Sequence, residues 1–128
     1  MTSRPILSPG PDHPITIEPN SGRVQVHAGD TLIADTANAL TLSEANYQPV
    51  QYIPRADVDM ARLRRSTHAS YCPYKGEAAY FDIVEQGDQG ENAVWTYERP
   101  HAAVREIAEY LAFYPSKVEI SELAEQAA

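Results

Sequence analysis

A single cysteine stands three residues before a lysine in Cys72-Pro73-Tyr74-Lys75-Gly76, a spacing that a β-turn closes. Such a turn holds the two Cα atoms within about 7 Å, and an ammonium beside a thiol favours the nucleophilic thiolate. The base would have to come from elsewhere. His68 and Cys72 share a face of a regular strand, but four residues of rise separate them by about 13 Å. Cys72 could equally be a buried, inert thiol at the end of a hairpin, with Lys75 in solvent. Asp57-Val58-Asp59 offers a second chemistry, because on a strand its two carboxylates share one face and can bind a divalent cation. The helical pattern that follows favours a different use, with Asp57 as a cap and Asp59 as a partner of the helix dipole. His13, His27, His68 and His101 are scattered and only one thiol is present, so no metal site is expected. Ser66, His68 and Ser70 lack the glycines of a nucleophile elbow. Tyrosine is abundant, with eight against two phenylalanines and one tryptophan. Tyr47, Tyr52, Tyr71, Tyr74, Tyr80, Trp95, Tyr97, Tyr110 and Tyr114 could line a cleft or lie along strands with a wet edge.

The elements that must position these residues are mostly short strands. The first 14 residues carry four prolines and predict an irregular arm. Alternation predicts strands over Ile15–Glu18, Arg23–His27 and Thr31–Asp35, the last two joined as a hairpin by Ala28-Gly29-Asp30. A run from Asn38 to Glu44 puts Leu40 and Leu42 on one face, with the Glu44 carboxylate at its end needing a partner. Val50–Ile53, between two prolines, predicts an edge strand, and Asp57 then caps a short helix over Val58–Arg65. Thr67–Cys72 and Glu77–Glu85 flank the Pro73–Gly76 hairpin loop, where Gly76 can take a left-handed conformation. Gly87–Gly90 predicts the next turn and Ala93–Glu98 the strand after it. Pro100 followed by Val104, Ile107, Ala108 and Leu111 predicts the principal helix over about His101–Leu111, and Lys117–Ile120 a last strand. The expected fold is therefore mainly β: a compact antiparallel coiled-sheet or barrel-like domain over 15–121, with one principal C-terminal helix, one short helix and a frayed tail from 122 to 128.

At 128 residues the chain has room for one core, and 43% hydrophobic content can fill it without disulfides. The net charge of −8 makes nucleic acid a poor partner, since phosphate neutralisation supplies most of such affinity. No apolar run approaches membrane-spanning length and the first ten residues lack the plan of a secretory signal, which with the lone cysteine sets the expectation of a cytoplasmic protein. Charge divides unevenly: residues 1–54, 55–75 and 76–128 sum to −3, +3 and −8. Only the middle stretch would attract a small anion, unless its cations pair with the acidic remainder.

Ile33-Ala34-Asp35, Leu42-Ser43-Glu44, Tyr52-Ile53-Pro54-Arg55 with Asp57, Cys72-Pro73-Tyr74-Lys75-Gly76 followed by Ala79-Tyr80, Trp95-Thr96-Tyr97 with Pro100, and Ala112-Phe113-Tyr114 together carry a resemblance. Over about Val24 to Ile120 the chain is similar to the domain-of-unknown-function family numbered 427, whose most recognisable mark is the Cys-Pro-x-Lys-Gly stretch. The resemblance implies a compact, mostly antiparallel β fold and no established activity. A nucleotidyltransferase label that travels with the family implies Mg²⁺ and nucleotide chemistry. The residues argue against it, because no glycine loop to cradle phosphates is present and Asp57-Val58-Asp59 opens the expected helix.

Two classes of function follow from these residues. In the first, a polar, aromatic cleft binds a small organic anion without a cofactor: Arg55 and Lys75 hold the anion, Tyr52, Trp95 and Tyr97 form the wall, and Cys72, Lys75, Glu44 and Asp57 are the candidates for any catalysis. In the second, the same residues close a structural or protein-interaction domain, with Arg55 paired to Glu44 or Asp57 and Cys72 buried. Open space reached by both Arg55 and Lys75 separates the first from the second. Whether binding would lead to catalysis, and the oligomeric state, are not written in the residues.

Overall fold

Among the described residues, short stretches that alternate inward and outward side chains contribute to ten antiparallel strands. The structure, a computed structural model, describes residues 4–123. In chain order the strands are β1 (Ile15–Pro19), β2 (Arg23–Ala28), β3 (Thr31–Thr36), β4 (Leu40–Glu44), β5 (Val50–Tyr52), β6 (Leu63–Cys72), β7 (Gly76–Ile83), β8 (Val94–Thr96), β9 (Leu111–Phe113) and β10 (Glu119–Leu123). They form three sheets, ordered β1-β4-β5, β10-β2-β3 and β6-β7-β8-β9. Among the described residues the sheets stay open, so the fold is mainly β but not a closed barrel. A single bridge from Ile53 to Leu111 ties the end of β5 to β9 of the next sheet, and another ties Ala34 of β3 to Val58, which lies outside the strands. Among the described residues no helix is long and apolar enough to cross a membrane.

Strands β7, β8 and β9 of the four-stranded sheet bury apolar side chains on both faces. Successive residues of β7 to β9 point to opposite sides, which divides the core in two. Phe81, Ile83, Val94, Leu111 and Phe113 pack with Val24, Val26 and Ile33 of the β2–β3 hairpin. Ala78, Tyr80 and Ala112 pack instead with Leu42 and Tyr52 of β4 and β5. Ile33, Ile83 and Leu111 are buried to 1% exposure or less, and each such side chain contributes roughly 1.5–3 kcal/mol.

Both expected helices are absent. Val58–Arg65 is replaced by 3₁₀ turns at Arg55–Asp57 and Met60–Arg62, after which the chain is already extended. Leu63, Arg64 and Arg65 pair with Ile83, Asp82 and Phe81, and that ladder satisfies more backbone groups than an isolated short helix could. Asp57 caps nothing; its carboxylate accepts the Thr36 hydroxyl at 2.6 Å. His101–Leu111 holds a 3₁₀ stretch, Ala102–Ile107, kinked at Val104, and Glu109 has a positive φ of 63°. Val104 and Ile107 are buried as their spacing implied, but Leu111 opens β9, where it completes the sheet.

Other boundaries move by a few residues. β6 begins before Thr67, β7 ends at Ile83 before a 3₁₀ stretch over Val84–Gly90, and β10 runs Glu119–Leu123 where Lys117–Ile120 was expected. Glu122 and Leu123 of the supposed frayed tail are thus strand, while 124–128 lie outside the described residues, as do 1–3 of the arm. The rest of the arm is fastened down. Leu7 N–H donates to the Pro73 carbonyl at 3.0 Å, the Tyr71 hydroxyl donates to the Pro5 carbonyl at 2.6 Å, and Ala45 N–H donates to the Pro14 carbonyl at 2.8 Å.

Candidate functional site

The hairpin at Cys72–Gly76 positions the first functional side chain. Lys75 N–H donates to the Cys72 carbonyl at 3.2 Å, Cys72 pairs with Gly76, and Gly76 takes a φ of 111°, which leaves a three-residue loop of Pro73, Tyr74 and Lys75. From that loop the Lys75 side chain turns inward, only 12% exposed, and its ammonium donates to Glu44 Oε1. Glu44 is at the end of the buried leucine face of β4, 8% exposed. Its other oxygen, Oε2, faces His13 Nε2 at 2.7 Å. An ionised carboxylate can only accept, so the imidazole donates through Nε2–H. A Gly10–His13 turn in the arm delivers this ring, which stacks on Tyr74 at 3.9 Å between centroids.

Burial pushes the Glu44 carboxyl up, but the hydrogen bonds from Lys75 and His13 outweigh it and hold the group below the usual carboxylate range. The three side chains form a chain of donors and acceptors, ammonium to carboxylate to imidazole. The Lys75 ammonium and the Glu44 carboxylate cancel each other in charge.

Lys75 and Glu44 open onto a cavity of about 220 Å³. Tyr47, Tyr52, Tyr80, Tyr97, Tyr114 and Trp95 supply most of its wall, with Leu42, Gln48 and Val50 completing it. Trp95 Nε1–H donates to the Tyr52 hydroxyl at 3.2 Å, and the Trp95 and Tyr114 rings lie 4.5 Å apart. Burial raises the Tyr52 and Tyr97 phenols well above their usual range, and burial together with Tyr80 pushes Tyr114 up to about 12. All three therefore present neutral hydroxyls at physiological pH. The volume falls below the roughly 300–1,000 Å³ typical of drug-sized pockets, so an occupant must be small.

Of the residues singled out in the sequence, Glu44, Tyr52, Lys75, Trp95 and Tyr97 come together at this cavity. Cys72 is half-buried beside it, packed against the cluster that holds Tyr52, Tyr80 and Tyr97. Arg55 and Asp57 are elsewhere. Arg55 lies over the Phe81 ring, on the opposite face of β7 from Tyr80, and Asp57 is engaged by Thr36. Arg55 and Lys75 therefore do not reach one common cavity. The cations of 55–75 are drawn largely to acids outside that stretch: Arg62 to Glu85, Arg64 to Asp82, Arg65 to Glu98 and Lys75 to Glu44. His13 was missed as a site residue, because a histidine in a proline-rich arm carries no local signal of where the arm docks.

Residues 16–123, which include every cavity-lining residue, match the model of a family described as a domain of unknown function, DUF427. The chain belongs to DUF427. No curated protein matches it. The DUF427 region begins after His13, so the third member of the hydrogen-bonded chain comes from the arm that precedes the family's boundary. The DUF427 model also bears the label NTP_transf_9.

Proposed function

We propose that this DUF427 domain binds a small polar organic molecule in the tyrosine-lined cavity, with Lys75 and Glu44 meeting its polar end and Trp95 and Tyr114 its ring or apolar face. One observation carries the proposal: a buried ion pair, costly to desolvate, opens onto a cavity walled by neutral hydroxyls and aromatic rings. Because Lys75 is neutralised by Glu44, an uncharged or zwitterionic ligand fits better than the anion expected from the sequence. Lys75 still has protons to donate and the phenols can donate or accept. A thermal-shift screen of uncharged and zwitterionic metabolites tests this, followed by calorimetric titration of the best hit. Tyr114→Ala and Trp95→Phe should each weaken binding about fivefold or more. Equal affinity in wild type and both variants would remove the cavity as the site.

A structural or interaction role is the second candidate, favoured by a different observation. Among the described residues every buried side-chain nitrogen and oxygen already has a hydrogen-bond partner. A screen with no hit at millimolar concentrations would favour it.

The residues do not fit the Mg²⁺ that the family label implies. Asp57 is held by Thr36 and Asp59 by Arg62, and no group of three or more His, Cys, Asp or Glu among the described residues converges as metal ligands do.

A further inference from the structure

Two features of the aromatic rings that line the cavity point to a particular ligand class. The first is their arrangement. Tyr52 stands at 89° to Trp95 with centroids 6.3 Å apart, and Tyr114 tilts against the same indole at 43° and 4.5 Å. Tyr80 and Tyr97 are buried, while Tyr47 and Tyr114 reach the exposed rim. Rings set at such angles bound a space from several sides, which suits a rounded group, whereas parallel rings grip a flat one. Each ring carries negative potential on its face, and that face attracts a cation. Elsewhere the chain covers such faces with its own arginines, Arg4 over Tyr71 and both Arg55 and Arg65 over Phe81. Among the described residues no arginine or lysine lies over a ring of the cavity in this way.

The second feature is that the acceptors in the wall are already engaged. Glu44 accepts from Lys75 through Oε1 and from His13 through Oε2, the Tyr52 hydroxyl accepts from Trp95, and Tyr80 Oη is 2.8 Å from Ser70 Oγ. An ammonium bearing N–H groups would enter with donors short of partners, and an unpaired buried donor is costly. A fully methylated ammonium keeps its charge and has no N–H to satisfy. Donors, by contrast, are to hand: the Lys75 ammonium gives one of its three protons to Glu44 and has two left.

We propose that the cavity selects a small zwitterion of the betaine class, with its carboxylate on Lys75 and its quaternary ammonium among the rings around Trp95. This ligand class rests on the cavity being a ligand site, as set out above, and narrows what that site takes. Both ends of the ligand are needed. A bare carboxylate leaves the rings without a cation, and a bare quaternary cation leaves the two remaining Lys75 protons without an acceptor. The zwitterion meets both and adds no net charge to a site whose own ammonium and carboxylate cancel.

The test follows the indole N–H signal of Trp95, the only tryptophan in the chain, by NMR while glycine betaine, choline, glycine or tert-butylacetate is added. Tert-butylacetate keeps the shape and carboxylate of glycine betaine, with carbon in place of the charged nitrogen. Saturable shifts are expected with glycine betaine, about tenfold tighter than with tert-butylacetate or glycine and about fivefold tighter than with choline. Tyr114→Phe keeps the ring and should bind glycine betaine within about twofold of wild type, whereas Tyr114→Leu should weaken it about fivefold or more. Arg105→Gln, exposed and outside the cavity lining, should leave binding unchanged. Equal affinity for glycine betaine and tert-butylacetate, or no loss in Tyr114→Leu, would overturn the role of the rings, and equal affinity for choline would overturn the carboxylate contact with Lys75. Failure of glycine betaine to saturate would overturn the ligand class, and if an uncharged hit of the thermal-shift screen still moved the Trp95 signal, the cavity would stand as a site of another kind. Silence of that signal with every hit of the screen would remove the cavity itself.

Discussion

Glu44 accepts from two donors, and each can be removed separately. Lys75→Met leaves a carboxylate buried with only an imidazole for company, and stranding a buried charge costs about 3–5 kcal/mol. The double variant Lys75→Met with Glu44→Leu should recover most of that loss, because an apolar pair of similar volume is tolerated where a lone charge is not. Urea unfolding at neutral pH measures both, and a single variant as stable as wild type would mean that the pair is not desolvated. The pH dependence has a definite sign. Glu44 is held lower in the folded chain than in the unfolded one, so its contribution is present above the ordinary carboxylate range and disappears as the pH falls through its lowered value. Glu44→Gln should therefore lose less stability than wild type between about pH 5 and pH 3, where unfolded carboxylates near pKa 4.3 take up protons. At this scale the sequence was informative wherever a polar group ended an apolar face, as Glu44 does after Leu40 and Leu42. It misled at Arg55, five residues past Val50, the partner of Leu42, because the Ile53-Pro54 step and the 3₁₀ turn send that side chain to the other side of the sheet.

The hairpin carrying Lys75 was legible because its turn chemistry is local. Gly76 at φ 111° also lies close to the following segment: a Cβ there would meet the His101 nitrogen at 3.4 Å and the Arg99 carbonyl at 3.5 Å. Gly76→Ala should cost more than about 1 kcal/mol, from the strained φ and that crowding together. Chemical denaturation gives the number, and a neutral substitution would contradict the loop geometry. The two helices failed for the opposite reason. Val104 and Ile107 have helical spacing, but a spacing of three also fits a 3₁₀ turn, and the deciding partners of Leu63 and Leu111 lie in strands distant along the chain. The arm shows the same limit, since nothing in its prolines reveals that Leu7 finds Pro73. His13→Ala should destabilise by about 1.5–3 kcal/mol through loss of a hydrogen bond to a charged group, and should also loosen Tyr74, which a change in tyrosine fluorescence or NMR line width at that residue would show.

Over the whole molecule, the sheet of β2 and β3 is finished by β10, whose Ile120 and the preceding Val118 pack against the first core cluster. Removing residues 119–128 would bare the outer edge of β2 and uncover that cluster, so the shortened chain should bind a hydrophobic dye and lose a cooperative unfolding transition; unchanged unfolding would make β10 dispensable. The β2–β3 hairpin is evident from alternation, while its third strand is not, because no local pattern records a partner so far along the chain. The same pairing has a consequence in time. Leu123 lies opposite Arg23, roughly 100 residues earlier, and a ribosome adding about 5–20 residues per second needs about 5–20 seconds to cross that interval. Throughout it β2 has one neighbour, and its second row of backbone donors and acceptors is open to any strand nearby. The finished domain hides that edge, but every newly made copy must pass through an interval in which crowding with its siblings competes with the arrival of its own last strand.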